Sequence, residues 1–367
     1  MNFYDEYNKY KNIEIDDYIG SLSENKVLNI LNKDVIDKYD FLALLSAKSD
    51  KHIEYMAKKA NKLTRNHFGK VILLYTPMYI SNYCVNQCVY CSYNAKNNIA
   101  REKLDFNEIE KEAKIISDKG FRHILILTGE SRKHSPLDYI KNSVKILKKY
   151  FDSISIEIYP LEESEYKILI DSGVDGLTIY QEVYNEDVYD KLHLGGPKKN
   201  YLFRIDAPER ACRSNIRSVN IGALLGLDNW IREAFFTGLH ANYLQNKYLD
   251  TEISVSIPRI RPYKGSFQSE FEVSDRELVK TILAFRIFMP RVGISLSTRE
   301  NSKLRDNLVG LGITKMSADS STKVGGHSTQ SKDVGQFDIS DDRNVNKIKE
   351  MLNEKGYQAI FKDWQYI

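Results

Sequence analysis

Residues 105–128 read DFNEIEKEAKIISDKGFRHILILT, a helix followed at once by a strand. Phe106, Ile109, Ala113 and Ile116 recur at intervals of 3, 4 and 3, which puts one apolar stripe along a helix. Asp105 and Glu108 open that helix as a capping box, and Gly120 is its stop. The run His123–Thr128 then has the length and apolarity of a buried strand. Leu137, Ile140, Val144 and Leu147 repeat the helical spacing ahead of a second such run, Ser153–Tyr159. A strand reached through a helical crossover pairs in parallel with its predecessor.

Working outward, six more strand-like runs appear: Val71–Thr76, Gly176–Gln181, Ser218–Leu224, Glu252–Pro258, Val292–Thr298 and Ile313–Ala318. Ser274 and Glu277 open another capped helix, which Pro290 closes. Eight strands separated by helices predict an α/β protein, a (β/α)8 TIM-type barrel over residues 66–318. Residues 1–65 read as a helical N-terminal extension, most regular over Tyr39–Leu63. Residues 319–367 carry a Gly/Ser/Thr-rich loop, a helix over Asn344–Lys355 and an aromatic tail, packed on the barrel. In three strands apolar residues alternate with Ser155/Glu157, Ser254/Ser256 and Ser295/Ser297. In a barrel these small and acidic side chains line the lumen, which then holds a ligand; a one-faced antiparallel sheet gives the same alternation.

Composition narrows the function. The 367 residues contain 53 Lys plus Arg and 50 Asp plus Glu, a formal charge of +3 with no basic block, so nucleic acid is not an expected partner. Hydrophobic residues make up 42%, yet no apolar run reaches the roughly 18 residues of a membrane span. The N-terminus lacks the apolar core of an export signal, so a cytoplasmic location is expected.

Of four cysteines, Cys84, Cys88 and Cys91 fall within one short loop beyond the first strand, and Cys212 stands alone, read as a small buried residue. Three thiolates on one loop suit an iron-sulfur cluster with one iron left open, since such clusters normally take four. A structural zinc site wants a fourth ligand, and neither His67 nor His123 has finger-like spacing to the triplet; zinc and a redox thiol site remain alternatives.

Cys84-x3-Cys88-x2-Cys91, with Tyr90 before its last cysteine, resembles the signature of the radical S-adenosylmethionine (SAM) enzymes. The resemblance implies a 4Fe-4S cluster whose open iron is chelated by SAM, and reductive cleavage of SAM to a 5′-deoxyadenosyl radical. YISNYCVNQCVYCSYN, LILTGESR, EIYPL, TIYQEVY, IGALLGLDNW, SVSIPRIRP and SLSTRE follow the order and spacing of one branch, the tyrosine lyases that make 2-iminoacetate (dehydroglycine) for the thiazole of thiamine. Over residues 65–367 that likeness implies cleavage of the Cα–Cβ bond of L-tyrosine to 2-iminoacetate and p-cresol, with SAM converted to 5′-deoxyadenosine and methionine. It implies thiazole synthase as a protein partner and a reduced flavodoxin- or ferredoxin-type electron donor.

The resemblance also assigns residues. Cys84, Cys88 and Cys91 are the expected cluster ligands. Tyr90 faces the adenine of SAM, Thr128, Gly129 and Glu130 its ammonium, Glu157 its ribose, Glu182 its vicinity and Arg204 its carboxylate. A salt bridge is the plain alternative for the glutamates and for Arg204. Arg299 is expected to grip the substrate carboxylate through two parallel bonds, helped by Ser317 and Tyr79. Pairing of Arg299 with Glu300 or Glu157 is the competing reading. The Gly325-Gly326-His327 segment either covers the barrel mouth or makes a surface turn, and the PRIRP stretch at 258–262 carries no assigned step. Related readings are a hydrogenase-maturing tyrosine lyase, which needs further cysteines where this chain has none after Cys212, and a tryptophan-cleaving relative. A non-catalytic iron-sulfur scaffold would need neither the polar lumen nor the SAM-like segments.

Overall fold

The computed structural model describes residues 2–328 and 334–362. The aromatic tail at 363–367 and part of the Gly/Ser/Thr-rich loop lie outside the described residues. Nine strands appear among them: β1 Val71–Ser81, β2 His123–Thr128, β3 Ser153–Glu157, β4 Gly176–Glu182, β5 Ser218–Ala223, β6 Glu252–Ser256, β7 Gly293–Leu296, β8 Lys315–Ser317 and β9 Gln358–Ile360. Strands β1 to β8 pair in parallel with their neighbours, and β1 bonds both β2 and β8, which closes the barrel. Residues meant for the helix-facing side, such as Ile154, Ile156, Val255 and Ile294, are fully or almost fully buried. The alternation therefore belongs to a barrel wall, not to a one-faced sheet.

Two strand expectations change. The first strand was expected to stop at Thr76, ahead of Pro77, but β1 runs on to Ser81. Leu73 donates to the Thr314 carbonyl and Tyr75 accepts from Ala318, so odd positions of β1 face β8. Pro77 is next on that side, beyond the end of β8 at Ser317, where its missing N–H costs no ladder bond. The ninth strand was not expected; β9 pairs only with the start of β1, through Val71, Ile72 and Leu73.

The helices follow their sequence signals. Asp105 and Glu108 form the capping box of Phe106–Asp118, and Ser274 and Glu277 that of Asp275–Phe288. Asn344 caps Val345–Glu354. The N-terminal segment is helical but broken: Lys38–Leu45 and Ile53–Phe68 are separated by a 3-10 turn, Ala47–His52. These two helices form a second layer over Asp275–Phe288, and Lys38–Leu45 also meets Trp230–Lys247. Gly238 permits that meeting, because a Cβ there would lie 2.8 Å from Cζ of the fully buried Phe41. Cys212 is buried, at 3% exposure, as expected of a bystander. No helix among the described residues is long and apolar enough to cross a membrane.

Candidate active site

The cysteine loop leaves β1 at Ser81, so Cys84 comes three residues past the strand, where the expected end at Thr76 would have put it eight past. Polar side chains, not regular structure, hold the loop. Asn82 accepts from the Glu102 amide at 2.7 Å and donates to the Ala100 carbonyl at 2.9 Å. The Arg101 guanidinium collects the carbonyls of Asn82, Tyr93 and Asn94. Cys88 pairs with His193 as an isolated bridge, which ties the loop to the segment after β4.

All three thiols face one cavity that continues into the lumen past Glu157, Asn220, Ser254 and Ser295. Burial, opposed by nearby Lys198, pushes the Cys88 thiol up to about 12, and burial pushes Cys91 up to about 11. Backbone N–H groups of Asn86 and Glu130 oppose the rise at Cys84, and that of Tyr93 opposes it at Cys91. Donors aimed at a sulfur favour a thiolate, and metal ligation is what removes the proton from a buried thiol. Among the described residues no three His, Cys, Asp or Glu side chains close on one point as a lone ion demands. Three cysteine thiols on one loop, lining one cavity, are a donor set that fits a 4Fe-4S cluster with one iron left open.

Beside the triplet, Gly129 meets the loop backbone. A Cβ at Gly129 would lie 2.9 Å from the Tyr83 carbonyl carbon and 3.1 Å from Cβ of Cys84. The close approach expected here is thus made first by the cysteine loop itself. Glu130 accepts from the Asn86 amide at 2.6 Å, and its carbonyl accepts from Val85. The Thr128 hydroxyl, buried on the cavity wall, has no partner among the described residues. Tyr90 lines the cavity with its hydroxyl 2.7 Å from Nε2 of His193, so packing and a ligand-facing ring coexist.

The acidic wall is built by strand ends. Glu157, last residue of β3, pairs with Leu127 of β2 through its backbone, while its carboxylate makes no hydrogen bond among the described residues. Burial, then the charge of Glu182, raises its carboxyl to about 7, with Arg299 and Lys198 opposing. Glu182 ends β4 at a bulge with φ +72, a conformation costing a side-chain-bearing residue on the order of 1 kcal/mol. Its carboxylate sits 2.7 Å from Nζ of Lys198 and 3.7 Å from the Arg204 guanidinium. Arg204 also donates to the Tyr180 carbonyl at 2.7 Å. Its salt-bridge reading therefore holds for Glu182, while it also lines the cavity.

Arg299 resolves differently. Glu300 is taken by Arg259, which donates to it through Nε at 3.1 Å and also reaches Asp275 at 2.7 Å. PRIRP thus keeps Glu300 away from Arg299. The Arg299 guanidinium forms no ion pair among the described residues; it stacks on Phe337 and touches only the Arg259 carbonyl, at 3.4 Å. Burial pulls its pKa down, with Tyr79, Tyr180, Glu182 and Glu157 opposing from a distance. Ser317 accepts from the Thr298 amide at 3.0 Å, and Tyr79 donates to Gln336 at 2.8 Å, both at the same cavity. The Gly325-Gly326-His327 segment is pinned beside β1: the His327 amide donates to Glu112 at 2.8 Å, and its ring meets the Pro77 carbonyl at 3.1 Å.

Lys198, Gln336 and Phe337 escaped the sequence reading. Lys198 and Lys199 are adjacent in GPKKN, and only the fold turns the first inward while the second pairs with Asp190 at the surface. Gln336 and Phe337 follow a loop whose length hides where it returns.

Two family descriptions match the chain: the Radical SAM superfamily over residues 78–238, and the Biotin and Thiamin Synthesis associated domain over 256–358. The 2-iminoacetate synthase of Escherichia coli K12 is 36% identical over 360 residues, 97% of this chain and 96% of that protein. The chain belongs to the 2-iminoacetate synthase family of radical SAM enzymes. Among solved structures it resembles HydG, a maturase of the FeFe-hydrogenase, with a TM-score of 0.90 and 29% identity over 95% of this chain and 80% of that one. Methylornithine synthase shares the fold, with a TM-score of 0.73 and 23% identity over 91% of this chain and 97% of that one. Membership of the 2-iminoacetate synthase family brings with it a 4Fe-4S cluster and SAM.

Proposed function

We propose that this radical SAM lyase cleaves the Cα–Cβ bond of L-tyrosine, giving 2-iminoacetate and p-cresol, and supplies the former to thiamine thiazole synthesis. The observation that carries the reading is Arg299, a half-buried guanidinium with no carboxylate in ion-pair contact among the described residues, in the same cavity as Cys84, Cys88 and Cys91. An amino-acid substrate provides the missing charge.

In this reading Cys84, Cys88 and Cys91 hold the one cluster, and Thr128, Gly129 and Glu130 take the ammonium of SAM. Glu157 accepts from the ribose hydroxyls, Tyr90 faces the adenine, and Glu182 with Arg204 completes the SAM wall. Arg299, Ser317 and Tyr79 place tyrosine. The bound cluster and SAM together supply the hydrogen-abstracting radical. The chain's own part is to seat tyrosine against SAM in a cavity that Phe337 and Gln336 help to line, because an unselective radical demands one hydrogen within contact. A reduced flavodoxin- or ferredoxin-type donor and thiazole synthase are the proposed partners. The barrel of residues 66–318 is the catalytic unit, flanked by the 1–65 and 319–367 segments.

Anaerobic reconstitution with iron and sulfide, then dithionite, SAM and tyrosine, tests the reading: 5′-deoxyadenosine and p-cresol should appear together. No 5′-deoxyadenosine would sink the radical SAM chemistry, and 5′-deoxyadenosine without p-cresol would sink the substrate. The likeness to HydG favours a second reading, carbon monoxide and cyanide production. The 36% identity to 2-iminoacetate synthase over 97% of the chain, against 29% to HydG, favours the first reading, and assay of carbon monoxide and cyanide decides it.

A further inference from the structure

We infer that Gln336 is a positioning residue that joins the tyrosine pocket to the cysteine loop, its amide bridging the hydroxyl of Tyr79 and the sulfur of Cys91. The inference rests on the reading of Cys91 as a cluster ligand and of Tyr79 as a wall of the substrate site.

The bridge is oriented by chemistry. Tyr79 Oη lies 2.8 Å from Gln336 Oε1, and Gln336 Nε2 lies 3.9 Å from Cys91 Sγ. A thiolate only accepts, so the amide must turn its N–H to the sulfur and its carbonyl to the phenol, which then donates. No other assignment satisfies both contacts.

Gln336 is also held there independently of its side chain. Its backbone N–H donates to the Thr322 carbonyl at 3.1 Å, and the same carbonyl accepts from the hydroxyl of Tyr93, two residues past Cys91, at 2.8 Å. Thr322 Oγ1 donates to the Phe337 carbonyl at 2.9 Å, which fixes the residue stacked on Arg299. The segment that bears on the substrate grip is thus tied to the loop that bears the thiols.

Two consequences follow from ordinary electrostatics. An N–H aimed at a ligating sulfur stabilises the more negative, reduced state and raises the reduction potential. A phenol donating to the amide carbonyl polarises the amide and strengthens that N–H, so Tyr79 acts on the sulfur through Gln336. Substrate that draws the Tyr79 hydroxyl away weakens the bond, and by reciprocity the redox state alters tyrosine affinity.

The test is an EPR-monitored redox titration of the anaerobically reconstituted full chain, in wild type, Gln336→Leu, Gln336→Glu, Tyr79→Phe and the Tyr79→Phe/Gln336→Leu double variant. Gln336→Leu should lower the midpoint by up to a tenfold change in the one-electron equilibrium, about 59 mV. Gln336→Glu, of the same shape but without the N–H, should do the same even if the leucine variant folds poorly. Tyr79→Phe should shift the midpoint in the same direction by less, and add nothing in the Gln336→Leu background. Unchanged midpoints in both Gln336 variants, or additive shifts in the double variant, overturn the inference. A wild type that takes up no iron overturns it together with the cluster reading, and iron uptake is measured separately, so the two failures are distinct.

Discussion

The guanidinium of Arg299 lies over the ring of Phe337, its carbon 3.4 Å from the ring centroid. The stack fixes the plane of the fork while its sequence neighbour Glu300 is bound to Arg259. A cation placed this way, desolvated but unpaired, is poised to receive a carboxylate through both terminal nitrogens.

Arg299→Ala should therefore weaken tyrosine binding by about 10–100-fold, the loss of a charged hydrogen-bond pair of roughly 1.5–3 kcal/mol, and SAM binding much less. Arg299→Lys should recover little, since an ammonium neither forms two parallel bonds nor stacks flat. Anaerobic equilibrium dialysis with each ligand reads both; equal loss for tyrosine and SAM would contradict the assigned role.

Gly129→Ala should act on the cysteine loop before it acts on SAM. The added methyl meets the Tyr83 backbone, 2.9 Å from its carbonyl carbon, and backbone cannot swing aside. Overpacking of this kind costs about 1–3 kcal/mol. The expected outcome is a lower melting temperature of the metal-free chain and less iron bound per chain after reconstitution. Normal iron content with only SAM affinity reduced would locate the need for glycine at SAM instead.

The fold was legible where the pattern is local. The spacing of Phe106, Ile109, Ala113 and Ile116 with its caps, and the alternation in Ser153–Glu157, need no knowledge of the rest of the chain. The end of β1 was not legible, because whether Pro77 breaks a strand depends on where β8 stops. Nor was β9, three residues whose only partner is the far-off start of β1. At the site, the cysteine triplet and Arg299 stood out in the sequence, whereas Lys198 owes its role to the pairing of Cys88 with His193. Gln336 and Phe337 owe theirs to the Thr322 contacts that return the C-terminal segment to the mouth.

Glu157 makes stability of the ligand-free chain depend on pH. Its carboxyl is raised to about 7 from 4.5, chiefly by burial and next by Glu182. Below pH 4.5 it is protonated whether folded or unfolded; between there and pH 7 the folded chain keeps a proton that the unfolded chain releases. Stability is therefore lost as pH rises through this window, by about 3 kcal/mol in all. Glu157→Gln stays neutral, so in urea unfolding it should exceed wild type by up to that amount at pH 8 and match it near pH 4.5. Glu233, raised to about 8 mainly by burial, contributes a slope of the same sign to both proteins and cancels in the comparison. Parallel stability curves for the two would refute the raised carboxyl.

Lys198 and Glu182 separate a structural ion pair from a cofactor contact. They lie 2.7 Å apart, with side chains 13% and 12% exposed, and removing one partner leaves a mostly buried charge. Lys198→Met should destabilise the chain by about 3 kcal/mol, because Glu182 then faces Glu157 without its ion-pair partner, with Arg204 at 3.7 Å and the more distant Arg299 left to offset it. Adding Glu182→Gln removes the orphaned charge, so the double variant should return to within about 1 kcal/mol of wild type. SAM affinity should not return with it. If Glu182 served only to neutralise Lys198, the double variant would bind SAM as well as wild type does; if its carboxylate accepts from SAM, the glutamine in its place leaves that donor poorly matched, and affinity stays low while stability recovers. Isothermal titration with SAM on chain of matched iron content, beside urea unfolding of the same preparations, gives both quantities, and their divergence in the double variant is the outcome the site geometry requires.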